Sequence, residues 1–182
     1  MILARPKSYQ REAVLEQAMA CFWHKGYDST SISDLTEATG LNRKTLYGEF
    51  GDKALLFQAA LERYLARVQA AGQQLAAPPL GLANIERFFE QVLAQADCRG
   101  CLATLSFNEW QSLPAEAQAL LKKRYGQLQG ALERNLLAAG VDLAREKAAL
   151  LISQLHGMAT LARQGLDREQ LAPQVTLLLR AL

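Results

Sequence analysis

Apolar residues recur at helical spacing along most of the 182-residue chain, and the clustered β-branched and aromatic alternation of strands is missing. On a background dominated by Ala, Leu, Gln, Glu and Arg, this pattern restricts the chain to an all-α fold. Half of the residues are hydrophobic, enough to build a packed core. Punctuation then divides the pattern into elements. Gly26 ends a first helix carrying Leu15, Ala18 and Phe22, and Gly40 ends a second carrying Ile32, Leu35 and Ala38. Asn42 is placed to cap a third, very short helix, and Asp52 a long fourth that runs through "KALLFQAALERYLARVQAAGQQL" to the break at "AAPPLG". Beyond it, helices are expected near residues 82 to 96, 102 to 112, 115 to 138, 142 to 163 and 172 to 182. Pro173 is expected in the first turn of the last one.

Two short helices around a turn holding Gly40 make a helix-turn-helix, whose second helix enters the major groove of DNA. At about 100° per residue, Arg43, Lys44 and Tyr47 share one face of that helix while Leu46 and Phe50 share another. One face packs and the other offers donors to phosphates and base edges. Thr30 and Ser31 precede the second helix, where hydroxyls and free N–H groups suit a phosphate, and Lys53 opens the fourth. Arg5 and Lys7 lie in a segment able to reach the DNA backbone or minor groove. The formal charge of +2 is too small to argue for nucleic acid by itself, and residues 1 to 55 hold about as many acids as bases, so the footprint is local.

The stretch "TSISDLTEATGLNRKTLYGEFGDKALLF" resembles the DNA-binding signature of TetR/AcrR-type transcriptional regulators through Thr30, Ile32, Leu35, Gly40, Thr45, Leu46, Tyr47, Phe50 and Lys53. The resemblance covers about the first third of the chain. It implies a three-helix DNA-binding domain over residues 1 to 52 and a helical effector-sensing and dimerisation domain over 53 to 182. It also implies that Thr45 and Tyr47 contact DNA and Lys53 clamps a phosphate, while Arg43 and Lys44 occupy positions that vary with operator sequence; Asn42 stands with them at the helix start. The departure is "GE": an acid at Glu49 would repel the DNA backbone, so it either faces away or tunes selectivity.

Relatives of this kind are homodimers that bind palindromic operators, usually as repressors released by a small-molecule effector. The segments "KAALLISQLHGMATLA" and "VTLLLRAL" offer wider apolar surfaces than one core needs, consistent with a four-helix interface. The alternative is that Leu150, Leu151, Leu155, Leu177, Leu178 and Leu179 fill only an intrachain core. For the effector, Phe88, Phe107, Tyr125 and Met158 join the leading candidates Phe89, Cys101, Leu105, Trp110 and His156.

"DCRGC" places Cys98 and Cys101 at a helix junction beside Arg99, which would favour a thiolate and a redox or electrophile switch. The alternative is that Cys101 is simply buried. A different class of function, an all-helical Cys-x-x-Cys thiol peroxidase, would want a histidine shortly after the second cysteine, and "CLATLSFNEW" has none. Two distant histidines and one cysteine pair fall short of a tetrahedral metal set, and no cofactor or enzyme motif such as G-x-S-x-G or a P-loop is present. The chain is therefore expected to be a non-enzymatic regulator. Its longest apolar region is interrupted by Lys147, Gln154 and His156, so no membrane span is expected and the expected compartment is the cytoplasm.

Overall fold

The computed structural model describes residues 9–95 and 98–182; Arg5 and Lys7 lie outside the described residues. The elements are α1 (Arg11–Lys25), α2 (Ile32–Thr39), α3 (Arg43–Phe50), α4 (Lys53–Gln73), α5 (Leu82–Ala94), α6 (Leu102–Asn108), α7 (Ala115–Ala138), α8 (Ala144–Arg163) and α9 (Arg168–Arg180). Single 3₁₀ turns follow α4 (Gln74–Ala76) and α6 (Trp110–Ser112). The all-α expectation holds: among the described residues there is no strand.

The first three helices form a head because each stop signal works locally. Gly26 leaves α1 at φ 85°, and Gly40 takes the left-handed conformation (φ 65°, ψ 10°) between α2 and α3. Ser31 and Asp34 close a reciprocal capping box on α2, Asn42 caps α3 by accepting from the Thr45 N–H at 2.9 Å, and Asp52 caps α4 from the Leu55 N–H at 2.9 Å. The apolar faces of α1 to α3 then close over the start of α4. Phe22 meets Phe57 edge-on at 5.0 Å, and Leu35, Leu46, Leu56 and Leu61 are fully buried around them. This core continues past Asp52 along α4 and reaches Leu102, Leu113, Ala117 and Leu121, so α4 is shared between the head and the rest of the molecule.

A second core joins α5, α7, α8 and α9 through Ile85, Phe89, Leu136, Leu151, Ile152 and Leu171. A buried amide pair fixes the "AAPPLG" segment against it. Asn84 Nδ2 donates to Asn135 Oδ1 (2.9 Å) and to the Ala77 carbonyl (2.7 Å), and Asn135 Nδ2 donates to the Leu75 carbonyl (2.8 Å). Buried amides satisfied on this many sides hold a loop that its own sequence leaves unstructured.

Three boundaries differ from the sequence expectation. Helix α9 starts at Arg168, before the expected residue 172, because Asp167 and Gln170 form a capping box, with reciprocal bonds of 3.0 Å. Pro173 therefore sits in the second turn, where its exposed position leaves the Glu169 carbonyl to solvent. The expected helix at 102 to 112 breaks after Asn108, since Glu109 is drawn toward the head. Helix α8 starts at Ala144 because Leu143 takes the left-handed conformation.

Candidate nucleic-acid interface and effector cavity

Helix α3 presents its polar face because Leu46 (0% exposed) and Phe50 anchor the other one. Asn42, Arg43 and Lys44 are exposed at its N-terminal end, with Thr45 and Tyr47 half-buried behind them. The Arg43 guanidinium lies 5.4 Å from the centre of the Tyr47 ring, which aligns the two side chains on one face. Glu49 is turned away from that face. It accepts from Tyr9 Oη at 2.9 Å and pairs with Arg11 Nε at 3.3 Å, and its side chain is only 9% exposed. The exposed α3 surface thus carries Arg43, Lys44 and Gly48, with Tyr47 half-buried beside them and the helix's one carboxylate, Glu49, drawn away.

The flanking residues divide in two. Ser31 is exposed at the start of α2, but its N–H and hydroxyl both donate to Asp34. Thr30 is a correction to the expectation of a free hydroxyl. It is 0% exposed, and its Oγ1 donates to the Gly26 carbonyl, so it holds the α1–α2 turn from within. Lys25 bonds Asp34 across that turn, and together with Ser31 holds the Asp34 carboxyl well below the usual carboxylate range. Lys53 Nζ donates to the Asp28 carbonyl at 3.3 Å and lies 4.5 Å from the centre of the Tyr27 ring, beside the same turn.

The head is tied to the body by two charged side chains. Glu109, just past α6, accepts from the Tyr27 N–H at 2.8 Å and the Asp28 N–H at 3.1 Å. Arg163, the last residue of α8, donates to the Trp23 (3.2 Å) and His24 (2.7 Å) carbonyls at the end of α1, and to the Arg99 carbonyl at 3.2 Å. An anion on free N–H groups and a cation on the last carbonyls of a helix are both favourable placements.

Behind these ties lies a cavity of about 550 Å³ lined by α4 to α8 and touched by Leu171 of α9. Of the leading sequence candidates, Cys101 and His156 line it, and so do Phe88 and Met158 from the wider set. Phe89, Leu105 and Trp110 are not among its lining residues. Phe89 is fully buried in the second core, Leu105 packs on the first, and Trp110 stacks behind Phe107 at 5.7 Å. Tyr64 and Arg124, which sequence reasoning did not single out, do line it, as do Phe107 and Tyr125.

Cys21 and Cys101 carry free thiols. Tyr64 Oη donates to Cys101 Sγ at 3.1 Å, joining α4 to the start of α6, while Cys98 is exposed. Arg99 lies 4.0 Å over the Trp23 ring. Gly100 has a local structural reason: a Cβ there would meet the Ala159 carbonyl oxygen at 2.6 Å. No cluster of three or more metal-ligating side chains occurs among the described residues, and no described helix is long and apolar enough to cross a membrane.

Burial pushes the His156 pKa below its ordinary value of 6.5, so the folded state favours the neutral ring. The unfolded chain then binds the proton first as pH falls. This contribution to stability is therefore complete above about pH 6.5 and declines as the pH drops toward the depressed folded value. Melting temperatures measured from pH 7.5 to 5 should fall less steeply in His156→Leu than in the parent; parallel curves would show that the ring titrates freely.

Comparison with known proteins agrees with this geometry. Residues 14–60 match the family model described as bacterial regulatory proteins, tetR family. The chain is 52% identical over 66 residues to the HTH-type transcriptional repressor ComR of Escherichia coli, a match spanning 36% of this chain and 31% of that repressor. It is 30% identical over 142 residues to the uncharacterized HTH-type transcriptional regulator YezE of Bacillus subtilis, covering 75% and 73% of the two chains. Its fold superposes with a TM-score of 0.83, at 26% identity and over 98% and 99% of the chains, on a cysteine-substituted TetR family transcriptional regulator, CifR, complexed with a 26-bp double-strand operator DNA. With the helix-turn-helix head in place and its match extending along most of a relative's length, the chain belongs to the TetR family of bacterial transcriptional regulators.

Proposed function

We propose that the chain is a cytoplasmic, homodimeric repressor that binds a palindromic operator and leaves it when an effector fills the cavity. The observation that carries this reading is the outward face of α3, where Arg43, Lys44 and Tyr47 share a helix anchored by Leu46 and Phe50, with the helix's one carboxylate, Glu49, held by Tyr9 and Arg11. The alignment with CifR on operator DNA supports it. Arg43 and Lys44 are assigned to base edges or phosphates, and Thr45, Tyr47 and Lys53 to the backbone. Ser31 and Asn42 border the contact as exposed caps, and Thr30 supports it by holding the turn.

Helix α4 supplies the coupling. Its first half, with Leu56 and Phe57, is part of the head core, and its second half, with Tyr64, Leu65 and Val68, lines the cavity. Two heads must meet successive major grooves about 34 Å apart, so a ligand that displaces α4 spoils the spacing without unfolding either head. The mechanism is geometric, and the thiol peroxidase alternative plays no part in it.

Selection of bound genomic fragments, followed by footprinting, tests the reading. Two protected half-sites about one helical turn apart are expected; protection without sequence preference sinks it. On the selected operator, Arg43→Ala should cost about 1–3 kcal/mol and relax preference at one base position, whereas Tyr47→Ala and Lys53→Ala should weaken all duplexes alike. Competition against single-base operator variants distinguishes these outcomes, and equal losses on every sequence would make Arg43 a phosphate contact.

A further inference from the structure

The charge inventory of the cavity is one-sided. Among its described lining residues there is no Asp or Glu, and Arg124 is the one charged side chain. Arg124 is half-buried on α7, and its guanidinium reaches the Gln127 amide oxygen at 3.5 Å; among the described residues it forms no ion pair. A cation beside an apolar wall, with so weak a neutral partner, is an open site for an anion. Gln127, exposed on the same helix, also lines the cavity and marks this end as the wetter one.

Another part of the cavity lining is aromatic. Phe107 lies 6.2 Å from Tyr125 in an edge-on arrangement and 5.3 Å from the ring of His156, and Trp110 braces it from outside. Such surfaces take flat rings well. They also attract cations, but the uncompensated Arg124 charge in the same cavity decides against a cationic guest. The volume of about 550 Å³ suits a small organic molecule.

We infer that the effector is a flat aromatic monoacid of naphthoate to biphenyl-carboxylate size, with its rings on Phe107, Tyr125 and His156 and its carboxylate on Arg124. This narrows the regulator reading given above and rests on it. The guanidinium fork matches a carboxylate in two parallel bonds, which a neutral amide cannot copy. Orientation follows: acid toward the wetter end, rings inward, against the same Phe107 that precedes the Glu109 tie by two residues.

Calorimetry on the full chain at about 150 mM salt, with naphthoate, naphthamide and naphthylmethyl trimethylammonium as probes, tests the assignment. Naphthoate should bind about tenfold tighter than the amide, with the cation weakest. Arg124→Gln should erase the acid-over-amide preference, and Arg124→Lys should retain part of it. The inference is overturned if the cation binds as tightly as the acid, if Arg124→Gln leaves the preference intact, or if none of the three binds. Gel shifts of the same preparations on the selected operator are read separately. Failure to bind any duplex sinks the regulator reading, while the ligand ranking stands or falls on the calorimetry alone.

Discussion

Gly26→Ala is expected to destabilise the chain by about 3–5 kcal/mol, far more than a surface loop substitution normally does. Gly26 adopts φ 85° and ψ 171°, a region that side-chain-bearing residues populate only at a cost of about 1–3 kcal/mol. An added Cβ would also stand 2.5 Å from Glu109 Oε1 and 2.8 Å from Oε2. The carboxylate is the flexible end of a side chain, so it would move rather than force the backbone. Moving it surrenders the bonds to the Tyr27 and Asp28 N–H groups, each worth about 1.5–3 kcal/mol as a charge-assisted bond. The lower end applies to Asp28, which is exposed and can recruit water. Denaturant melts of Gly26→Ala, Glu109→Ala and the double variant check this. The two single losses should sum to more than the double variant loses, because both delete the same bonds. A cost below about 1 kcal/mol for Gly26→Ala would mean that neither the strained backbone nor the Glu109 contact matters.

The same contact gives the ligand cavity a second path to the head. Phe107 lines the cavity, Glu109 follows two residues later, and its carboxylate holds the turn that leads into α2. A ligand pressing on Phe107 therefore acts on the head through α6 as well as through α4. Arg163 makes a third tie from the end of α8, which supplies Ile152, Leu155 and His156 to the cavity. Three elements that touch the cavity also touch the head, so the head's position is set by more than one of them.

Much of the head could be read from residue order because its signals are local. Gly26, Gly40, Asn42 and Asp52 each act within four residues of the turn they set, and the i, i+4 pair Leu46 and Phe50 orients α3 by itself. What could not be read depends on partners far along the chain. Glu49 turns inward only because Tyr9 and Arg11 wait 40 and 38 residues upstream. Glu109 reaches 82 residues back to Tyr27, and Asn84 finds Asn135 across 51. The cavity shows the same limit. Phe89 and Phe107 are both aromatic residues on helices, and periodicity does not tell which of the two faces a void and which a packed core. Thr30 and Ser31 are likewise adjacent hydroxyls, yet the geometry of the Gly26 turn sends one inside and leaves the other at the surface.

Leu150→Glu combined with Leu177→Glu is expected to leave a folded monomer whose operator affinity is lower by about 10²–10⁴-fold. The apolar residues of α8 and α9 divide between two surfaces. Leu151, Leu171 and Val175 are buried in the second core, whereas Leu150 and Leu177 are 54% and 72% exposed. The helices are held side by side by Gln154 bonding Gln174 at 3.2 Å and by Lys147 Nζ donating to the Leu182 carbonyl at 2.8 Å. Leu150 and Leu177 lie on the stretches between these two ties, a suitable centre for the symmetric four-helix contact of a dimer. Glutamate at both positions sets four like charges at that centre of a two-fold interface while leaving the intrachain core untouched. A monomer engages one half-site and loses the effective concentration that the partner head supplies, which sets the size of the loss. Sedimentation should show half the parental mass with unchanged helical circular dichroism, and the residual binding should favour single half-sites and palindromes almost equally. A variant that stays dimeric with parental operator affinity would place the interface elsewhere and make Leu150 and Leu177 ordinary solvated leucines.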